Sequence, residues 1–422
     1  MSSKINAIIN ADVKNDLRNL SLAHGAEGAR DALKKIEELC IAQNNHRTQS
    51  SQHIKQMEMA MEIISECIFR ENSGKSFKKK KNSVQSLSKI QELELLEMLC
   101  HYMSSSNDNC VSQVVKNAVY MFLFPPSHSH RSRLLVKLVS MAICTSNYQV
   151  LISTGILVQQ IGCTSKFSTD IAEGLVTDYF VLLPQAMSKL ADLPLHAPLF
   201  TANLLTSLSE MYNKSNIHEN LLEVITTWVS QHPELCYTAL VTNLSASLPN
   251  GAIPMPAMTP FVGLFKWCIL APFYSRSKLY SKLHLALLTS LLECKTYCML
   301  STQRNIISAE SLCTIVSYLL ILIKENDAKT SSPETEAKFG EAKTSAPDET
   351  KSHEASSRES TKIAESKASL HDATKEAIHR LAQCVQVAMF TQTLYGNKTK
   401  LVGQLSVLPA NKLMLCVLEN MR

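Results

Sequence analysis

The chain has 422 residues, 45% of them hydrophobic and 19% charged, a balance that suits a folded protein with a sizeable core. Only 11 residues are glycine, well under the usual ~7%, which argues against Rossmann, P-loop and Greek-key folds, whose tight turns and phosphate-cradling loops use glycine freely. A net charge of +5 and a pI near 8.5 are too mild for a domain that grips nucleic acid through a concentrated basic face.

Residues 1–25 are polar and weakly patterned, which predicts a flexible N-terminus. Helical periodicity appears from Ala29 to Cys40 and from Ile54 to Phe69, where Ile63, Ile64, Cys67 and Ile68 make an apolar face. These residues define N-terminal helices over 26–69. A Ser/Asn/Lys-rich loop over 70–87 follows and carries Lys78, Lys79, Lys80 and Lys81. At Ser88-Lys-Ile-Gln91 a hydroxyl precedes a glutamine by three residues, the pattern of a capping box. From there Ile90, Leu93, Leu96, Cys100 and Met103 recur every three or four residues and predict one buried stripe.

Further helices are predicted at 111–124, 133–145, 150–158, 170–183, 198–212, 221–230, 234–244, 259–270, 279–298 and 308–323. Prolines such as Pro125, Pro184, Pro233 and Pro272 punctuate them where a missing N–H does no harm. Val150–Val158 and Val176–Leu183 have the Val, Ile, Tyr and Phe content of strands. They lack alternation and a nearby hairpin turn, so they are read as helical. Leu312–Ile323 is the most apolar stretch, too short for the ~20 residues of a membrane span and read as a helix buried on all sides.

Over 324–369 Phe339 and Ile363 are the only large apolar side chains, which predicts a disordered low-complexity linker. Periodicity resumes at Ile378, Leu381, Val385 and Met389, and a short helix from Leu413 to Met421 closes the chain. The whole reads as all-α. Residues 88–323 form a main region expected to stack helix hairpins as an irregular HEAT- or armadillo-like repeat, and the helices of 370–422 pack back on it. A compact bundle is the alternative.

The chemistry-bearing residues are sparse. The 13 cysteines (Cys40, Cys67, Cys100, Cys110, Cys144, Cys163, Cys236, Cys268, Cys294, Cys298, Cys313, Cys384 and Cys416) include no CxxC pair. They read as free thiols packed as small hydrophobes in a reducing compartment. No GxSxG, GxxxxGK[ST], HExxH or GxGxxG motif occurs. His218-Glu219 lacks a second histidine, and His128-x-His130 sits in a Pro/Ser turn without a third ligand. Cys294 and Cys298 share a helix face, yet no His or Cys pair stands at zinc-like spacing, so packing is the favoured reading. His284 and His379 read as core-edge histidines, Trp228 as core, and Trp267 as core or interface. No catalytic, metal-ligating or cofactor-binding residue is expected, and no signal peptide is visible near Met1. The Lys78–Lys81 run is a candidate nuclear-import signal or, alternatively, the RNA contact of a helical RNA-binding adaptor. Phe77 alone stands near it as a stacking aromatic, which disfavours direct nucleic-acid binding.

Six blocks carry a family resemblance: Ser86–Cys100, Leu135–Ala142, Leu221–Val229, Thr259–Cys268, Leu279–Leu285 and Arg380–Met389. The most distinctive is Leu279-Tyr-Ser-Lys-Leu-His284. In sequence and in order they resemble the fifteenth subunit of the Integrator complex. The resemblance spans roughly residues 30 to 420 and departs from the family in a short basic insert after Trp267, limited to Arg276 and Lys278, and in the linker after Lys324. The resemblance also leads one to expect a Pro/His-rich tail, which is not seen in the sequence up to Arg422. The resemblance implies a nuclear, non-catalytic subunit that joins subunits ten, thirteen and fourteen. It also implies indirect association with RNA polymerase II, in small nuclear RNA processing and attenuation of nascent transcripts. On this reading the lysine run serves import, with no membrane and no cofactor involved.

Overall fold

In the computed structural model the residues described are 30, 31, 33, 34, 88–105, 110–127, 129–212, 217–248, 252–298, 305–331 and 352–421. The helices expected over 26–69 and the Lys78–Lys81 loop lie outside them, apart from a helical fragment around the buried Leu33. The described chain is all-α. Its helices are α1 (Lys89–Ser104), α2 (Cys110–Leu123), α3 (Ser129–Cys144), α4 (Tyr148–Ile161), α5 (Lys166–Val176), α6 (Pro198–Met211) and α7 (Glu219–Gln231). They continue as α8 (Phe261–Leu270), α9 (Leu279–Cys298), α10 (Ala309–Ser331), α11 (Ser352–Phe390), α12 (Lys398–Leu405) and α13 (Lys412–Met421), with shorter helical turns between. Among the described residues the only strands are β1 (Ile307–Ser308) and β2 (Leu394–Tyr395), paired in parallel as Ile307 with Leu394 and Ser308 with Tyr395.

The helices fall into two compact units. Of the described residues, one comprises those up to Met211 together with Thr238–Met258; the other comprises Tyr212–Tyr237 and those from Thr259 onward. In the first unit α3 packs on α1, α4 and α5, and α4 packs on α2 and α6. In the second, α9 packs on α7, α8 and α11, while α10 meets α12 and α11 meets α13.

Local chemistry explains most helix starts. Gln91 N–H donates to Ser88 Oγ at 3.3 Å, and Ser88 N–H donates to Gln91 Oε1 at 3.1 Å, which completes the capping box and starts α1. Ser165 Oγ caps α5 by accepting from Ser168 N–H, and Asn397 Oδ1 caps α12 by accepting from Lys400 N–H. Past that start the buried face of α1 differs from the expected stripe. Leu95, Leu96, Met98, Leu99, Tyr102 and Met103 are buried, whereas Ile90 and Leu93 stand 70% and 51% exposed. Of the expected stripe Leu96 and Met103 are buried and Cys100 is half-buried, and only Ile90 and Leu93 miss, because each turn of α1 offers more apolar side chains than one face needs.

α4 is helical, although its composition suits a strand. Val150, Leu151 and every residue from Ser153 to Gln159 are buried and Ile152 alone among them is exposed, so the helix is enclosed on nearly every side and shows no amphipathic period. Its closest contact is with α6: a Cβ added at Gly155 would lie 2.7 Å from Phe200 N.

Three other expectations change. The single helix over 234–244 is instead a 3₁₀ turn (Pro233–Cys236), a short α-turn (Thr238–Val241) and a second 3₁₀ turn (Leu244–Ser247). The break at Tyr237 falls where the chain passes from one unit to the other. α10 is not buried on all sides, because Thr314, Ser317 and Ile321 are exposed along one line. Helix also enters the expected 324–369 linker from both ends, since α10 runs to Ser331 and α11 begins at Ser352. Low apolar content argues against a core, but Lys, Glu and Ala have high intrinsic helix propensity.

Candidate partner-binding surfaces

Among the described residues, buried polar side chains hold helices together in both units. In the first unit a buried network links α2, α4 and α6. Tyr120 Oη and Thr154 Oγ1 share a hydrogen bond of 2.7 Å, Ser153 Oγ donates to Asn117 Oδ1 at 2.7 Å, and Asn117 Nδ2 donates to the Ser247 carbonyl at 3.0 Å. Asn203 Nδ2 donates to the Gly155 carbonyl at 2.9 Å and Asn203 Oδ1 accepts from Cys163 Sγ at 3.2 Å. Each of these groups satisfies another, as burial requires.

In the second unit the same role falls to Arg380 on α11. Its guanidinium is buried and donates to the Cys268 carbonyl at the end of α8, to Ser281 Oγ on α9 at 2.8 Å and to Glu376 one turn earlier. Beside it His284 Nε2 lies 3.1 Å from Gln383 Oε1, and the edge of its ring meets Phe265 with centroids 5.7 Å apart. His284 is therefore the core-edge histidine that its position suggested, and His379 is exposed with Gln383 Nε2 at 3.3 Å.

Burial pushes the His284 pKa down to about 4, with Arg380 and His379 adding to the depression. The unfolded chain takes up this proton near pH 6.5, and the folded one does so only near 4. The neutral-histidine contribution is thus fully present above about pH 6.5 and is lost as pH falls toward 4, a cost of roughly 3 kcal/mol at full protonation. Urea titrations from pH 7 to pH 4 should show this loss, and His284→Gln should flatten the slope.

The remaining candidates resolve into structure. His218 starts α7, its Nδ1 accepting from Asn220 N–H at 3.3 Å. Trp228 and Trp267 are both buried, and the Trp267 ring meets Tyr212 edge-on at 6.2 Å. Cys294 is buried in α9; the side chains of Cys298 and His130, and all of His128, lie outside the described residues. Burial holds the Cys163, Cys236 and Cys268 thiols up at about 12, far from the thiolate that nucleophilic or metal chemistry needs. Among the described residues no group of three or more His, Cys, Asp or Glu could hold a metal ion, and no helix is long and apolar enough to cross a membrane.

What the surface does offer is exposed apolar side chains. α5 ends in a π-helical turn over Thr177–Leu182, and Val181, Leu182 and Leu183 point outward in succession. The segment 252–259 is neither helix nor strand and exposes Ile253, Met255 and Met258. The Gln160 side chain holds it in the manner of a ladder partner, Nε2 donating to the Ile253 carbonyl at 2.7 Å and Oε1 accepting from Met255 N–H at 3.2 Å. Neither surface was singled out from the sequence. The signal for the second was visible as Pro254, Pro256 and Pro260, which forbid a helix there.

The comparison with known proteins is decisive on family. The model of the family described as Integrator complex subunit 15 matches residues 11–341 and 350–410. The chain belongs to the Integrator complex subunit 15 family. A family protein of that name from Drosophila melanogaster is 29% identical over 403 residues, covering 93% of this chain and 92% of the relative. The Danio rerio protein of the same name is 26% identical, with 85% of this chain and 71% of the relative covered. For the Homo sapiens protein the values are 28% identity and 63% of each chain. The family match thus runs through α1 to α12 and includes both units.

Proposed function

We propose that this protein is a non-catalytic scaffold subunit of the Integrator complex. On this reading it works in the nucleus and docks the module of subunits ten, thirteen and fourteen, in small nuclear RNA 3′-end processing and in attenuation of transcription by RNA polymerase II. Family membership over nearly the whole chain is the observation that carries the reading. Two features of the fold support it. The buried hydroxyl, amide and guanidinium groups of α2, α4, α6, α8, α9 and α11 are spent on helix-to-helix hydrogen bonds, so they are not free to act on a substrate. The exposed runs at Val181–Leu183 and Ile253–Met258 are the apolar surfaces a scaffold needs. The HEAT-like stacking of helix hairpins and the import role of Lys78–Lys81 belong to the same proposal.

Affinity purification of the tagged full chain tests it. Integrator subunits, with ten, thirteen and fourteen among them, should be recovered in constant ratio. Recovery of none would sink the reading. A preparation that hydrolyses RNA in the absence of other subunits would sink its non-catalytic half.

A further inference from the structure

We infer that the seam between α9 and α11 is a docking groove for an acidic amphipathic helix of a partner protein. The inference deepens the scaffold reading above and rests on it.

The two helices run parallel. Ser281 meets Arg380, His284 meets Gln383, and Lys295 meets Phe390. At 100° per residue, Leu285 and Leu292 lie about 40° and 20° round α9 from Ser281, toward solvent. On α11 Gln383, Val387 and Phe390 follow Arg380 round in the opposite sense, which for parallel helices is the same side of the pair. The exposures agree: Leu285 is 65%, Leu292 42% and Phe390 64% exposed. Leu285 and Leu292 are seven residues apart, or about 10 Å along the axis, the two-turn spacing at which a second helix seats its own apolar side chains.

The rim of the seam is predominantly basic. Lys278, just ahead of α9, and Lys282 on its first turn are exposed, and both lie on the Leu285 side, about 60° and 100° round from Ser281. Farther along, half-buried Lys295 lies about 40° round from Ser281 on the other side, and its ammonium reaches across the seam to Phe390, 4.2 Å from the ring centre and 3.5 Å from the carbonyl oxygen. Among the described residues, exposed Glu293 and half-exposed Glu376, the latter held by Arg380, stand against these lysines. Asp372 and Lys375, exposed on α11 ahead of the stretch that α9 reaches, offset each other. An apolar floor with a lysine rim fits a helix that carries Leu- or Phe-type anchors between Asp and Glu. It repels a second copy of itself, and a nucleic acid finds there only the Phe390 ring to stack on, with the Lys295 ammonium already against it.

The test uses the full chain purified with its partners. A photoreactive benzoylphenylalanine at position 285 should crosslink to an acidic, helical segment of another subunit. Lys278→Glu combined with Lys282→Glu should weaken capture of that subunit at least tenfold at low salt, with the melting temperature unchanged. Leu285→Glu should do the same. Crosslinks to nucleic acid or to a second copy, or undiminished capture by folded charge-reversed protein, would overturn the groove. If the wild-type chain brings down Integrator subunits and these variants do too, only the groove falls. If the wild-type chain brings down none, the scaffold reading falls with it.

Discussion

Gly155→Val should destabilise the protein by roughly 3 kcal/mol, the upper range for forced overpacking of a core. The added Cβ would meet backbone, 2.7 Å from Phe200 N and 2.9 Å from Phe200 Cα. A helix axis cannot swing aside as a side-chain tip can, so α6 must move as a body. That movement breaks the bond from Asn203 Nδ2 to the Gly155 carbonyl and loosens the Cys163 thiol on Asn203 Oδ1, all of it buried. Two other glycines calibrate the claim. At Gly174 the added Cβ would meet Val136 Cγ1, 2.5 Å away, so Gly174→Ala should be milder if the valine can turn. At Gly403, inside α12, nothing lies within 4 Å, so Gly403→Ala should gain about 0.5–1 kcal/mol from helix propensity alone. Chemical denaturation of the three variants should order them in that sequence. Equal losses at 155 and 174 would contradict the backbone argument.

Arg380→Ala should cost about 3 kcal/mol, through a different mechanism. The guanidinium is the buried junction of α8, α9 and α11, and its removal strands the Cys268 carbonyl without its donor. The aliphatic stem is lost as packing besides. Most of the loss should come from the carbonyl and Ser281, because the Glu376 side chain is half exposed and can return to water. Glu376→Gln should therefore cost well under half as much. Arg380→Lys should rescue only in part, since one ammonium cannot replace a fork aimed at three acceptors. Denaturation midpoints measured in 1 M salt separate the effects, because salt screens the Glu376 contact and leaves the buried carbonyl alone.

The helical class was legible in scarce glycine and in the spacing of apolar residues, and helices such as α6, α9 and α11 lie within a few residues of where that spacing puts them. The sequence misleads where burial is complete or where apolar residues are in excess. α4 has no polar face, so its residues read equally as strand, and Gly155 at its centre was the one hint of a close neighbour. In α1 both Leu93 and Leu95 satisfy a helical period, and only tertiary packing chooses the second. Arg380 is a charged residue in a helix that reads as amphipathic, and nothing in its spacing says that it turns inward. The interaction surfaces are hidden for a related reason. An exposed Leu285 and a buried Leu283 look alike in a string of letters, and only packing tells which is covered.

The route of the chain between its two units has a consequence for how the protein is made. The polypeptide changes unit at Met211, returns at Thr238 and leaves again after Met258. On the ribosome, the first unit must wait for the strap that Gln160 grips, which is synthesised about fifty residues after α6 begins. Meanwhile α7 emerges with its buried face of Leu221, Leu222, Ile225 and Trp228 and no α9 to receive it. Neither unit can be severed from the other by a single cut, so truncations at the apparent midpoint should yield two sticky fragments rather than two domains.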